Sequence, residues 1–368
     1  MFFFKLSSFY VFYFAAIGVH TIFIPKVLLD IGYSAFEIGI VFALAPLMRF
    51  ITPFLFLKHI KLDNNVFKIA LLLSLVSSSL FYVTINNFYL LMINNAILGV
   101  CLSLVLPYVE VLSLKELGKE RYGKSRLFGS IGFMAVSIVL AKFLTEPFVA
   151  LHYYLITTIL TVTFGLMLLK YNADIIESAK SKIEKFSVLI YWPFWFSLFL
   201  MQMSFGAFYN FFTIYETQHG LSLEMISYLW SFGIICEILI FYYQAPILKI
   251  NLLLVIKFAV FVTVIRWFLL FLFPDSLGIA FFTQGLHAFS FGLYHSAVIL
   301  YLYTLYSNKK LAQQFMFGIA YGLGGFCGAI IAGYLYGEYL FLSSSIIALG
   351  ALFFLFVQDK NNAKAIKV

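Results

Sequence analysis

The chain has 368 residues, of which 63% are hydrophobic and only 11% charged. A soluble domain is about half apolar and about a quarter charged, so this composition excludes a soluble enzyme, a disulfide-rich secreted domain and a disordered chain. It indicates a protein whose solvent is a bilayer. The net charge is +8. The Lys and Arg residues are concentrated in alternate loops, as in membrane proteins, so no nucleic-acid partner is predicted.

Charges, glycines, prolines and asparagines divide the chain into apolar runs, each near the roughly 20 residues that cross a bilayer as a helix. The sequence therefore predicts an all-α polytopic membrane protein with twelve transmembrane helices. In chain order these are 6–29, 37–57, 66–85, 88–114, 124–145, 151–170, 192–217, 223–245, 251–273, 277–305, 312–337 and 340–357.

The distribution of lysine and arginine predicts the orientation of these helices. One set of alternate loops carries nearly all of the basic residues, including Lys58, Lys61, Lys68, Lys115, Lys119, Arg121, Lys124, Lys170, Lys180, Lys249, Lys257, Lys309 and the tail residue Lys367. The opposite loops carry acids such as Asp30, Glu146, Asp275 and Glu338. Because cytoplasmic loops are enriched in Lys and Arg, we expect both termini in the cytoplasm and a bacterial-type inner-membrane location.

The chain is predicted to consist of two halves. Residues 1–170 would form an N-terminal six-helix bundle, the polar stretch 171–191 a cytoplasmic linker, and 192–368 a C-terminal six-helix bundle. At an offset of 188, Gly18 matches Gly206 and Gly32 matches Gly220. A parallel repeat of this kind predicts a binding site near the midplane, at the interface of the halves. Glycines of the eleventh span, among them Gly324 and Gly328, predict close helix packing.

Ionisable side chains within the spans are the first candidates for function, because burying them in the membrane is costly. Four lie near the middle of their spans: Arg49, Glu237, Arg266 and His287. Others lie nearer the ends, where long side chains can reach the interface: Lys26, Glu110, Arg126, Lys142, His20 and His295. For all of them a structural ion pair is the alternative to a functional role.

Two of the central residues, Glu237 and Arg266, lie on neighbouring spans, and an ion pair between them would lower the cost of both charges. A carboxylate whose partner can be withdrawn is suited to carry a proton, and His287 can exchange a proton near neutrality. The bases in the spans outnumber the acids. This surplus favours an anionic substrate, since arginine binds a carboxylate bidentately.

Several motifs resemble a known family. Glu110 followed by Arg126-x-Phe128-Gly129 is similar to the lactose permease branch of the major facilitator superfamily, as is Leu286-His287-x-Phe289. The resemblance to the 3-phenylpropionate transporter group covers nearly the whole chain. It is carried by Tyr122-Gly123-Lys124-x-Arg126-Leu127-x-Gly129-Ser130, Tyr228-Leu229-Trp230-Ser231-x-Gly233-x-x-x-Glu237, Arg266-Trp267, Leu286-His287 with His295, Met48-Arg49-Phe50 and Lys142.

The resemblance implies a transporter that couples uptake to protons. By analogy with lactose permease, Glu110 and Arg126 would contact the substrate, with Phe133 in the place of a stacking tryptophan. Glu237 and His287 would link the substrate to the proton site, and Arg266 would lie beside it. Arg49 is a further candidate for binding a carboxylate, and His295 for carrying the proton.

Two departures from the family pattern matter. The acid that the permease carries three residues after this histidine is Ser290 here, so the proton carrier must be another group, Glu237 or a histidine, or coupling is absent. The superfamily's Gly-x-x-x-Asp-Arg loop is replaced by Phe56-Leu-Lys-His-Ile-Lys61.

Two transport hypotheses remain open. The first is proton symport of a small organic anion such as an aromatic carboxylate, by alternating access. The second is proton symport of a neutral sugar or nucleoside, which Glu110 and Arg126 also suit. An intramembrane enzyme or a channel is disfavoured, because no catalytic or metal-binding spacing and no ring of charges is found. The expected partners are a small solute, a proton and the lipid bilayer, with no cofactor or metal, and the expected state is a monomer.

Overall fold

A computed structural model describes residues 1–58, 62–171 and 187–365 of the chain; the side chains of 54–58, 119–120, 310 and 362–365 are excepted. Most of the predicted linker 171–191, the loop residue Lys61 and the tail residue Lys367 lie outside the described residues. The described part of the chain is helical and contains no β-strand.

Thirteen helices, numbered here in chain order, make up the fold of the described residues. They are α1 Phe2–Asp30, α2 Ala35–Lys58, α3 Asn64–Thr84, α4 Phe88–Gly118, α5 Arg121–Phe143, α6 Pro147–Tyr171, α7 Trp192–Ser204, α8 Gly206–Gln218, α9 Leu223–Tyr243, α10 Leu252–Leu272, α11 Leu277–Leu305, α12 Leu311–Tyr334 and α13 Leu340–Ala365.

Eleven of these helices are long and apolar enough to cross a membrane, among the residues described. The predicted seventh span, 192–217, is wrong in one respect: it is not one helix but two, α7 and α8, which meet at Phe205. The boundary between the fourth and fifth spans also differs. Helix α4 continues past the predicted end at 114 as far as Gly118, whose φ of 69° interrupts the helical path.

The glycines that match at a sequence offset of 188 lie at equivalent positions of the backbone. Gly32 and Gly220 follow the ends of α1 and α8 with φ of 105° and 88°, in the left-handed region that glycine adopts without a steric penalty. Gly18 immediately precedes a π-helical segment, Val19–Phe23, and Gly206 immediately follows the break at Phe205. The matched glycines therefore mark matched turns and matched departures from the α-helix.

The chain divides into two compact units. One consists of Met1–Ala179 with Ser222–Ser231, and the other of Lys180–Leu221 with Phe232–Val368. In the first, α1 packs against α4, α5 and α6; in the second, α13 packs against α7 and α10, and α12 packs against α7 and α8.

Glycines permit the closest helix contacts in both units. A Cβ at Gly132 on α5 would lie 2.0 Å from the carbonyl oxygen of Val11 on α1. On α12, a Cβ at Gly328 would lie 2.5 Å from the carbonyl oxygen of Met203. Any larger residue would push the two backbones apart, so the packing role predicted for the glycines of this span is confirmed.

Large apolar side chains cover much of the outer surface. Val83 is 68% exposed, Ile93 59% and Phe353 62%. Buried polar side chains pair with one another inside: on α3 and α4, Ser77 Oγ lies 2.8 Å from Asn94 Oδ1. An apolar exterior with a paired polar interior is the arrangement that a lipid solvent favours.

Candidate functional site

In the first unit, the turn at Gly118 brings Glu110 of α4 opposite Arg126 of α5. Arg126 Nε donates to Glu110 Oε1 at 3.4 Å, and each side chain keeps about a third of its surface exposed, 33% and 35% respectively. The Arg126 guanidinium lies over the ring of Phe14 at 4.1 Å and that of Tyr10 at 5.5 Å. Glu110 and Arg126 therefore form an ion pair, and its partial exposure leaves donor and acceptor atoms accessible to a solute.

Two other predicted residues of this unit stand apart from the pair. Arg49 on α2 is exposed and forms no ion pair with a described acid, although Tyr13 lies within electrostatic reach of both Arg49 and Arg126. Phe133 is half-buried on α5, where its ring packs beside Gly18 of α1. Tyr10 and Phe14 of α1 therefore pack against Arg126, and Tyr13 lies within electrostatic reach of both Arg126 and Glu110.

In the second unit, Arg266 on α10 is completely buried. Its Nη1 donates to His287 Nδ1 at 2.9 Å and to Ser290 Oγ at 3.2 Å. Its Nη2 donates to Gln284 Oε1 at 3.3 Å. All three acceptors lie on α11 at intervals of three residues, which places them along one face of the helix.

The imidazole of His287 lies between the guanidinium of Arg266 and the carboxylate of Glu237. His287 Nε2 lies 3.5 Å from Glu237 Oε2 on α9. The prediction of a direct Glu237–Arg266 ion pair is therefore wrong, because the imidazole stands between the two groups. Since Nδ1 accepts a hydrogen bond from Arg266, the ring hydrogen must be on Nε2, where it faces the carboxylate.

Aromatic rings enclose the buried guanidinium. Phe208 and Trp267 each lie 4.4 Å from Arg266 Cζ, and Phe205, at the break between α7 and α8, lies 5.8 Å away. The ring faces partly offset the lost hydration of the cation. Phe291 stacks on His287 with ring centroids 5.1 Å apart and nearly parallel planes.

His295 contacts Phe291, which stacks on His287, and not Arg266 itself. Its Nδ1 is 2.7 Å from the hydroxyl of Tyr321 on α12, and its ring stacks on Phe291 at 6.2 Å. It is within electrostatic reach of Glu237. Between His287 and His295 the helix is π-helical over Ala288–Leu293, a local widening that is frequent at functional sites.

Gln284 and Phe208 are site residues that sequence reasoning missed. Gln284 lies three residues before His287, as Ser290 lies three after it, so helical spacing alone was a usable signal for a shared face. Phe208 gave no such signal, because it is one of 46 phenylalanines in an aromatic-rich chain.

Comparison with known proteins identifies the family of this chain. The model of the family described as MFS_1 like matches residues 3–344. A "Probable 3-phenylpropionic acid transporter" of Escherichia coli (strain K12) is 24% identical over 366 residues, covering 93% of this chain and 94% of that protein. An "Uncharacterized transporter YwbF" of Bacillus subtilis (strain 168) is 25% identical over 350 residues, covering 89% of this chain and 86% of that protein.

Solved structures share the fold. A point mutant of the nucleoside transporter NupG superimposes with a TM-score of 0.80 at 14% identity, covering 97% of this chain and 100% of that one. A structure described as giving insight into substrate recognition in proton dependent oligopeptide transporters has a TM-score of 0.70 at 9% identity, covering 97% and 99%. The protein is therefore a multi-pass membrane transporter and not an enzyme, and the chain belongs to the MFS_1 like family.

Proposed function

We propose that this transporter imports a small organic anion, such as an aromatic carboxylate, together with a proton by alternating access. Residues 1–170 and 192–368 would act as its two bundles, joined by 171–191 and with both termini in the cytoplasm of a bacterial-type cell. The distribution of Lys and Arg supports that orientation in the inner membrane. The transporter is proposed to act as a monomer.

The observation that carries the proposal is the charge balance around Arg266. This guanidinium is fully buried, and among the described residues its charge is compensated through His287 by Glu237. The two charges lie roughly 8 Å apart and the Glu237 side chain is 20% exposed, so loss of the carboxylate's charge costs about 2 kcal/mol at an effective dielectric constant of about 20. A proton on Glu237 therefore creates a buried site with a net positive charge.

An anionic substrate would restore the balance. A carboxylate that binds near Arg266 while Glu237 is protonated returns the cluster to zero net charge, and arginine is the residue that holds a carboxylate most specifically. Proton and anion therefore stabilise each other's binding. Each half-loaded state carries an unbalanced buried charge, which disfavours movement of one species without the other.

The imidazole of His287 would position the two groups rather than hold the transported proton. Protonating Nδ1 would place an N–H against the N–H of Arg266 Nη1. His295, which lies near Glu237 and bonds to Tyr321, is the group proposed to exchange the proton with Glu237.

In the first unit, Glu110, Arg126 and Arg49 are proposed as further residues that contact the substrate. The Glu110–Arg126 pair is partly exposed and lies against Phe14, so it offers charged hydrogen-bonding groups beside an aromatic surface. Phe133 on α5 would contribute a further apolar contact. A "Probable 3-phenylpropionic acid transporter" among the relatives supports an aromatic carboxylate as the first compound to test.

The test measures proton movement into proteoliposomes that contain a pH-sensitive dye. Adding 3-phenylpropionate outside should drive proton uptake by the wild-type protein, and Glu237→Gln should abolish it. Glu338→Gln, the same change at an exposed acid of the same unit, should leave it unchanged. Proton uptake that occurs only with sugars or nucleosides would favour the neutral-solute hypothesis, to which the Glu110–Arg126 pair is also suited.

A binding measurement examines the coupling directly. Across a range of increasing pH, the dissociation constant of the wild-type protein for the carboxylate should rise by up to about tenfold per pH unit, because one proton accompanies each anion. Glu237→Gln should bind the carboxylate with the same affinity across that range, since it imitates the protonated state. A pH-dependent affinity that survives in Glu237→Gln would refute the assignment of the proton to this residue.

A further inference from the structure

The hydrogen bonds around Arg266 leave two donors unused. Among the described residues, Arg266 Nε and Gln284 Nε2 are buried without a hydrogen-bond partner, and the two residues are 0% and 1% exposed. A buried donor without an acceptor costs about 1–3 kcal/mol. Both unused donors belong to side chains that already touch each other, because Arg266 Nη2 donates to Gln284 Oε1 at 3.3 Å. Hydrogen-bond acceptors are therefore missing where Arg266 and Gln284 meet.

The identity of the unused atoms indicates what is missing. In a guanidinium, the N–H of Nε and one N–H of Nη2 lie along the same edge, and this edge accepts a carboxylate with two parallel hydrogen bonds. Here Nη2 donates to Gln284 Oε1, and Nε has no acceptor among the described residues. A neutral amide oxygen thus stands where one oxygen of a carboxylate would bind.

We infer that Gln284 is a specificity-determining residue that substitutes for the substrate's carboxylate in the empty transporter and then binds that carboxylate through its amide N–H group. When the anion arrives, its two oxygens take Nε and Nη2 of Arg266, and the amide rotates so that Nε2 donates to the carboxylate. Both unused donors are then satisfied. This inference rests on the proposed function, because it assigns the anion to Arg266.

The surroundings of Gln284 are compatible with this rotation. Gly233 on α9 faces the amide, and a Cβ at that position would lie 3.1 Å from Gln284 Oε1. The absence of a side chain therefore leaves the amide its space. Phe208 and Trp267 are both buried and lie 4.4 Å from the guanidinium, so they restrict its movement while the amide rotates.

The decisive variant is Gln284→Glu, which places a permanent carboxylate on the same edge of Arg266. In the Glu237→Gln background, where Arg266 has lost its compensating carboxylate, it should raise the melting temperature of the substrate-free protein, because the new carboxylate restores the charge balance of Arg266. It should also weaken binding of 3-phenylpropionate at least about tenfold, since the edge is occupied. Gln218→Glu, the same change at an exposed glutamine of α8, should alter neither property.

A neutral analogue separates the role of the charge from a general loss of structure. 3-Phenylpropanamide has nearly the same shape as the acid but no negative charge, so its affinity should fall much less in Gln284→Glu than that of the acid. Gly233→Ala provides a second perturbation that leaves all the charges in place. By crowding the amide it should weaken binding of the acid several-fold while the protein remains folded.

The outcomes test the role of Gln284 separately from the proposed transport of an anion. If the wild-type protein binds the acid and Gln284→Glu binds it equally well, the role of Gln284 is refuted and the proposed function stands. If Gln284→Glu loses the acid and the amide to the same degree, the carboxylate is not recognised at this edge and the inference is again refuted. If the wild-type protein prefers the amide to the acid, the proposed function itself fails.

Discussion

The charge balance between Arg266 and Glu237 can be measured without any substrate. The structure separates the two charges by an imidazole, with 2.9 Å on one side and 3.5 Å on the other. The groups therefore lie roughly 8 Å apart, an attraction of about 2 kcal/mol at the effective dielectric constant of about 20 that suits protein sites. A double-mutant cycle of Glu237→Gln and Arg266→Met should give a coupling energy near that value.

The assay is equilibrium unfolding of the purified protein in mixed detergent micelles. Each single variant should be less stable than the wild type, because each leaves one charge without compensation, and the double variant should be more stable than the sum of the two losses predicts. Lys142→Met, at an exposed residue of the other unit, should add to Glu237→Gln without coupling. A coupling energy below about 0.5 kcal/mol for Glu237 and Arg266, within the usual error of additivity, would refute the idea that Glu237 balances the buried guanidinium.

Three further predictions follow from the geometry. Gly132→Ala should destabilise the protein by about 1–3 kcal/mol, because its Cβ would lie 2.0 Å from the carbonyl oxygen of Val11. Gly123→Ala, whose Cβ would meet no atom within 4 Å beyond its own helix backbone and chain neighbours, should be neutral or stabilising by up to about 1 kcal/mol in the same unfolding assay. Arg126→Gln should change stability by less than about 1 kcal/mol, since the pair is partly exposed, yet abolish uptake in proteoliposomes; retained uptake would remove Arg126 from the substrate site. His295→Gln should keep the affinity for the carboxylate but slow proton-coupled uptake, and unaltered uptake rates would show that the proton does not pass through this histidine.

The candidate site was partly predictable from the sequence. Glu237, Arg266 and His287 were singled out because ionisable groups are rare in membrane spans, and the structure brings all three together. Their order was not predictable. Which group stands between the other two depends on the relative rotation and height of α9, α10 and α11, and an apolar sequence gives little information about rotation because lipid-facing and buried positions are equally hydrophobic.

The sequence by itself determined the solvent of this protein, the approximate limits of most of its helices, and the repeat that relates Gly18 to Gly206 and Gly32 to Gly220. These properties depend on composition and on local backbone preferences, which each stretch of chain carries independently. Only the tertiary structure decided that α7 and α8 are separate helices, that His287 separates Arg266 from Glu237, and that Gln284 faces the guanidinium. Those features depend on distances between helices remote in sequence, and such distances exist only once the helices have packed.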